Sequence, residues 1–135
     1  MRPNLLVLTD SRGIKFQDTL DKIARECGLK PEEQFHKINF VAVPGAKVND
    51  LLLHATEYFS KVQSKRFVLV KVFVGINNFT KKVYSHNNYE LVLSNTTPTE
   101  VFQELLSLKL NIRKEHTRTI ISFCNVPCAD LVGVQ

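Results

Sequence analysis

Residues 67–74, Phe-Val-Leu-Val-Lys-Val-Phe-Val, constrain the fold more than any other stretch. Apolar side chains fill both alternating sets of positions, so a strand here has two faces to remove from water. Such strands belong in sheets covered on both sides, typically parallel sheets whose strands are joined by helices. Gly75 ends the run. Lys71 interrupts it, sharing a face with Phe67, Leu69 and Phe73. If buried there, its ammonium needs a partner such as Asp10 or Asp50, or a stem that reaches the sheet margin.

The rest of the chain supplies the helices and strands this demands. Leu5–Leu8 reads as a short buried strand stopped by Thr9-Asp10-Ser11-Arg12-Gly13. Phe16, Leu20, Ile23, Ala24 and Cys27 recur at helical spacing, with Gly28 as a stop. Residues 38–43 form a second strand, ended by Pro44-Gly45. Val48, Leu51, Leu52, Ala55, Phe59 and Val62 form a second amphipathic helix. After Gly75 a polar loop of more than twenty residues is expected, closed by Thr97-Pro98-Thr99-Glu100, a capping box with Pro at the first helical position. A third long helix carries Val101, Phe102, Leu105, Leu106 and Ile112, and residues 119–124 form a fourth strand. Strand and helix alternate throughout, which predicts one α/β domain over residues 1–135.

Composition narrows the classes. The 135 residues are 44% hydrophobic and 23% charged, enough to bury a core, which excludes a disordered chain. Cys27, Cys124 and Cys128 form neither a zinc pattern nor an even disulfide set, so they read as reduced, buried thiols and no metal is expected. Reduced thiols point to an intracellular setting, cytoplasmic or nuclear. The sequons at Asn78 and Asn95 point weakly the other way. No apolar run approaches the ~18 residues of a membrane span, and Leu5–Leu8 is too short for a secretory core.

In an open parallel sheet, ligands bind beyond the carboxyl ends of the strands. The strand-end loops carry Ser11, then Gly45, then Asn77, and on the fourth Asn125, Pro127 and Cys128. A hydroxyl, a small-residue backbone amide and a carboxamide at one edge suit acyl transfer: Ser11 attacks, and the amides near Ser11 and Gly45, with the Asn77 side chain, donate to the developing oxyanion. A side chain at Gly45 would crowd a substrate approaching the backbone.

Thr9-Asp10-Ser11, Gly45 followed by a helix, and Gly75-Ile76-Asn77 resemble, in order and spacing, the three leading blocks of the SGNH (GDSL-type) hydrolases. The resemblance runs over about residues 4–128. It implies a three-layer α/β/α sandwich with a flavodoxin-like parallel sheet. It also implies serine ester hydrolysis of a small ester or an acylated polymer, with Ser11 as nucleophile, Gly45 and Asn77 as oxyanion donors, and no cofactor. Two departures accompany it. Thr9 stands where the family has glycine. The family's Asp-x-x-His base, with the last strand and helix of the fold, has no counterpart in these residues, so the base is expected beyond Gln135. Of the four histidines, His36, His54, His86 and His116, only His86 lies in a loop from which it could swing toward Ser11. Without a base the serine has no route to activation.

The alternative is a non-catalytic SGNH-like domain that binds RNA or a protein. The net charge is +5, and between Tyr58 and Tyr89 there is no carboxylate but there are six Lys or Arg residues. Lys81 and Lys82, with Phe79, Tyr84 and Tyr89 for stacking, and Arg12 and Lys15 beside the Ser11 turn, are the candidate nucleic-acid contacts.

Overall fold

The computed structural model describes residues 1–124, the side chains of Arg12 and Ile76 excepted. In chain order come strand β1 (Asn4–Asp10), a single 3-10 turn (Ser11–Gly13), helix α1 (Phe16–Glu26) and the one-turn helix α2 (Pro31–Gln34). Strand β2 (Ile38–Val43), helix α3 (Asp50–Ser60), strand β3 (Val68–Phe73) and the one-turn helix α4 (Ile76–Phe79) follow. Strands β4 (Thr80–Ser85) and β5 (Asn88–Leu93), helix α5 (Pro98–Glu115) and strand β6 (Thr119–Phe123) complete the described chain.

β2, β1, β3 and β6 pair in that order as an all-parallel sheet. This is a flavodoxin-like order, with the connections diverging between β1 and β3. One face carries Leu6, Leu8, Val68, Val70 and Val72, all at most 1% exposed. Against it pack Leu51, Ala55 and Phe59 of α3 and Val101, Leu108 and Ile112 of α5, the inward stripes of two amphipathic helices. The capping box forms as expected. The Thr97 hydroxyl accepts from the Glu100 backbone N–H, and the Glu100 carboxylate accepts from that of Thr97, both at 3.2 Å. Fixing the first turn this way contributes about 1 kcal/mol.

The second face departs from the expectation of full cover. α1 shares a cleft with Leu5 of β1 and Ile38 and Phe40 of β2, and its Phe16 ring meets that of Phe73 on β3 at 5.0 Å, yet α1 has no buried residue of its own. On the β3–β6 side Lys71, opposite Val7 and Ser122, is exposed, and Ile120 is 54% exposed. β3 is therefore sealed on one face only. Lys71 keeps its ammonium in water and needs neither Asp10 nor Asp50. Cys27 is likewise exposed, not buried.

The expected polar loop after Gly75 is instead a hairpin, β4 against β5, six residue pairs from Thr80↔Leu93 to Ser85↔Asn88. His86 and Asn87 form its two-residue turn, with His86 at φ 53°, as a tight hairpin requires. Tyr-Glu-Leu-Val-Leu has the β-branched and aromatic character of a strand, a signal outweighed in the sequence by the polar residues around it. Both strands are largely exposed, so the hairpin has no packed face to register as periodicity.

Candidate functional site

β1, β2 and β3 end level with one another. Asp10 pairs with Val43, and Thr9 with both Ala42 and Phe73. Ser11, Gly45 and Asn77 lie within the first few residues beyond those ends, so the register brings their three loops to one edge of the sheet, at the divergence between β1 and β3.

Each loop has its own reason for its shape. Ser11 is exposed and opens the 3-10 turn, where the Ile14 N–H donates to the Ser11 carbonyl at 3.2 Å. It does not cap α1, whose N-cap position is Lys15. The turn can close on the strand because Gly13 lacks a side chain: a Cβ there would stand 2.0 Å from the Thr9 Cγ2. Thr9, which replaces the glycine of the resembled block, thus lodges against a second glycine four positions on.

Pro44-Gly45 sits in a β-turn in which the Ala46 N–H donates to the Val43 carbonyl at 3.1 Å, with Gly45 at φ 73°. Proline followed by a residue of positive φ is the signature of a type II turn. A Cβ on Gly45 would meet no protein atom within 4 Å, so within the chain itself this glycine answers to its backbone conformation, and the space above it is open.

Gly75, at φ 130°, turns the chain out of β3 into α4. There the Asn77 side-chain N–H donates to the Ala46 carbonyl at 2.9 Å. That bond ties the third loop to the second and fixes the plane of the carboxamide, whose nitrogen carries a second N–H.

Asn78, read from sequence only as half of a turn pair, is the better-anchored residue. It is 4% exposed; its Oδ1 accepts from the Val48 N–H at 3.0 Å and its Nδ2 donates to Glu104 at 2.5 Å. Its carbonyl accepts from the Ser94 hydroxyl at 2.7 Å. One side chain and its backbone so join α4 to the residues leading into α3, to α5 and to the end of the hairpin. Burial also closes the sequon at Asn78 to glycosylation, a point no spacing rule reveals.

No histidine meets Ser11. His86 is at the hairpin tip, six extended residues from Thr80, or about 20 Å at ~3.3 Å per residue. Among the described elements the hairpin's substantial contact is with α4. His86 thus occupies a tight hairpin turn and not the long polar loop expected from sequence. His116 is buried at the end of α5, where its Nε2–H donates to the Arg66 carbonyl at 2.7 Å and its ring lies 5.1 Å from that of Phe59. His36 and His54 line a cleft at the amino ends of the strands, the opposite edge of the sheet. Asp10 is fully buried at the end of β1.

The basic residues do not form one patch. Lys61, Lys65 and Arg66 lie just before β3, Lys71 is on its open face, and Lys81 and Lys82 are on β4. Phe79 packs toward the core, while Tyr84 and Tyr89 are exposed, 5.8 Å apart, with the Lys82 ammonium 4.6 Å above the Tyr89 ring. Lys15 is exposed beside the Ser11 turn; the Arg12 side chain and Asn125, Pro127 and Cys128 lie outside the described residues. No helix among the described residues is long and apolar enough to cross a membrane. Comparison of the sequence with protein-family models and with curated proteins gives no match.

Proposed function

We propose that this chain is an SGNH-like ester hydrolase domain. The Ser11 hydroxyl bonds to the carbonyl carbon of an acyl or acetyl ester, small or attached to a polymer, and the alcohol leaves. Water then releases the acid from Ser11. The backbone amides near Ser11 and Gly45 and the second Asn77 N–H hold the negative oxygen formed at each step. The observation that carries this reading is the level ending of three adjacent strands, with the Asn77–Ala46 hydrogen bond orienting the carboxamide. The serine proton needs an acceptor, and no hydrogen bond among the described residues joins Ser11 to any of the four histidines.

The test is labelling of the full-length natural protein with a fluorophosphonate probe. Ser11 is the expected site, and Ser11→Ala abolishes both labelling and hydrolysis of a short-chain aryl ester. Asn77→Ala lowers kcat by about 10²–10³-fold, the usual loss for one oxyanion donor. Failure of the folded, full-length protein to label rejects the reading.

A second reading, a non-catalytic SGNH-like domain that binds RNA, draws on the hairpin. Lys81 and Lys82 supply charge, and the exposed Tyr84 and Tyr89 rings offer faces for stacking. It expects salt-sensitive binding that Lys81→Glu with Lys82→Glu abolishes and Ser11→Ala leaves unchanged. Binding indifferent to salt rejects it.

A further inference from the structure

Helix α4 is a single turn of four residues, too short to hold its own shape in water. Its orientation, and with it that of the Asn77 carboxamide, comes from the bonds its side chains make to other parts of the chain. Those bonds converge on residues 46–49, the segment between the Gly45 turn and α3. The Asn77 Nδ2 donates to the Ala46 carbonyl at 2.9 Å, and the Asn78 Oδ1 accepts from the Val48 N–H at 3.0 Å. Glu104 closes the set. Its Oε2 accepts from the Asn78 Nδ2 at 2.5 Å and its Oε1 from the Asn49 Nδ2 at 2.7 Å. One carboxylate thus clasps both sides of the joint.

Glu104 differs from the other members in what stands behind it. It lies in the second turn of α5, an 18-residue helix whose Val101, Leu108 and Ile112 are buried against the sheet. Its partners belong to a loop, to the first residues before α3 and to one helical turn. A side chain on a long, packed helix is placed more precisely than one on a loop, so Glu104 passes the rigidity of the core to α4. No Lys or Arg among the described residues forms an ion pair with it, so both of its oxygens serve the two carboxamides in charge-assisted bonds.

We infer, on the strength of the hydrolase reading, that Glu104 is a positioning residue for the oxyanion carboxamide: by clasping Asn78 and Asn49 it keeps Asn77 on the Ala46 carbonyl and leaves the second Asn77 N–H for the substrate oxygen. Two donors on one carboxylate give this link a chemical signature. Glu104→Gln has one acceptor oxygen for two donors. Asn78 cannot turn over, because its Oδ1 is held by the Val48 N–H, but the exposed Asn49 can, presenting its own oxygen to the new amide. Glu104→Gln therefore keeps both bonds, and Glu104→Ala loses both.

The test is steady-state hydrolysis of a short-chain aryl ester by the full-length protein and its folded variants, beside NMR of the Asn77 side-chain amide. Glu104→Ala is expected to lower kcat about tenfold or more with KM changed less than about twofold, and Glu104→Gln to restore kcat to within about threefold. Glu104→Ala combined with Asn77→Ala is no slower than Asn77→Ala alone, because both act through one group. The Asn77 amide signals move in Glu104→Ala and hold in Glu104→Gln. If Glu104→Ala does not fold, Glu104→Asp, one methylene shorter and unable to span both donors, replaces it with the same expectations. Unchanged kcat, a change in KM alone, or losses that multiply in the double variant overturn the assignment while Ser11 labelling keeps the hydrolase reading. Absence of Ser11 labelling removes that reading instead, and the Asn77 signals then decide: unmoved in Glu104→Ala they overturn the positioning role, and moved they uphold it.

Discussion

Asn78→Ala is the substitution that most directly tests how the strand-end edge is held. Truncation orphans the Val48 N–H, on a residue with no exposure, and a buried donor without a partner costs about 1–3 kcal/mol. It also removes the donor to Glu104, which is only half-buried and recovers much of the loss from water, leaving about 0.5–1 kcal/mol. The Ser94 bond goes to the backbone carbonyl and survives. The expected loss is about 1.5–4 kcal/mol, which at the urea sensitivity of a domain this size lowers the midpoint by about 1–2 M. Asn77→Ala loses one half-buried bond, to the Ala46 carbonyl, and costs about 0.5–1.5 kcal/mol. The decisive measurement is equilibrium urea unfolding of both variants side by side. Asn78→Asp adds a pH handle. It keeps an acceptor for Val48 but sets a carboxylate against Glu104, raising the folded pKa of the pair. Its stability relative to Asn78→Ala should therefore increase as the pH falls from 7 toward 5. A loss below 1 kcal/mol for Asn78→Ala, or an equal loss for Asn77→Ala, refutes the assignment of Asn78 as the anchor.

Gly13→Ala should destabilise by about 1–3 kcal/mol through its contact with Thr9, and Thr9→Gly should relieve much of that, giving a coupling of at least about 1 kcal/mol in a double-mutant cycle by urea unfolding. Gly45→Ala meets open space, so its cost is confined to the positive φ, about 1–2 kcal/mol; a loss above 3 would mean the turn has a steric role as well. Loss of solvent, then Arg66, Lys37 and Arg2, hold the His36 pKa below the ordinary 6.5, so between that lowered value and 6.5 the ring binds fewer protons in the folded than in the unfolded chain. Its contribution to stability therefore rises with pH through that window and is lost as the pH falls. An NMR titration of the ring should place the midpoint below 6.5 and move it upward in Lys37→Gln; a midpoint at or above 6.5 contradicts the effect of these cations.

The main sheet was legible because its strands obey a pattern with one physical cause. Leu6, Leu8, Val68, Val70 and Val72 must leave water, and four short apolar runs separated by amphipathic helices admit few other arrangements. The capping box at Thr97 was legible for a different reason, since its partners lie within four residues and need no tertiary context. The hairpin was not. With its strands largely exposed, no burial stamps an alternation onto its sequence, and its turn uses His86 in place of the usual Asn-Gly.

The candidate site divides along the same line between local and distant causes. Ser11, Gly45 and Asn77 stand out because each follows a strand end, a position readable from sequence alone. Asn78 is their immediate neighbour and holds the edge together, yet its partners, Val48 and Glu104, are 30 and 26 residues away. Asn77 and Asn78 are chemically identical, and only the direction in which a single helical turn presents them separates a carboxamide at half-buried depth from one inside the protein. Gly75 sets that direction: at φ 130° it turns the chain so that the first asparagine reaches the Ala46 carbonyl and the second the interior. Replacing Gly75 with alanine should therefore damage both roles together, lowering stability as Asn78→Ala does and any Ser11-dependent activity as Asn77→Ala does. A variant that lost one without the other would show that the two asparagines are positioned independently.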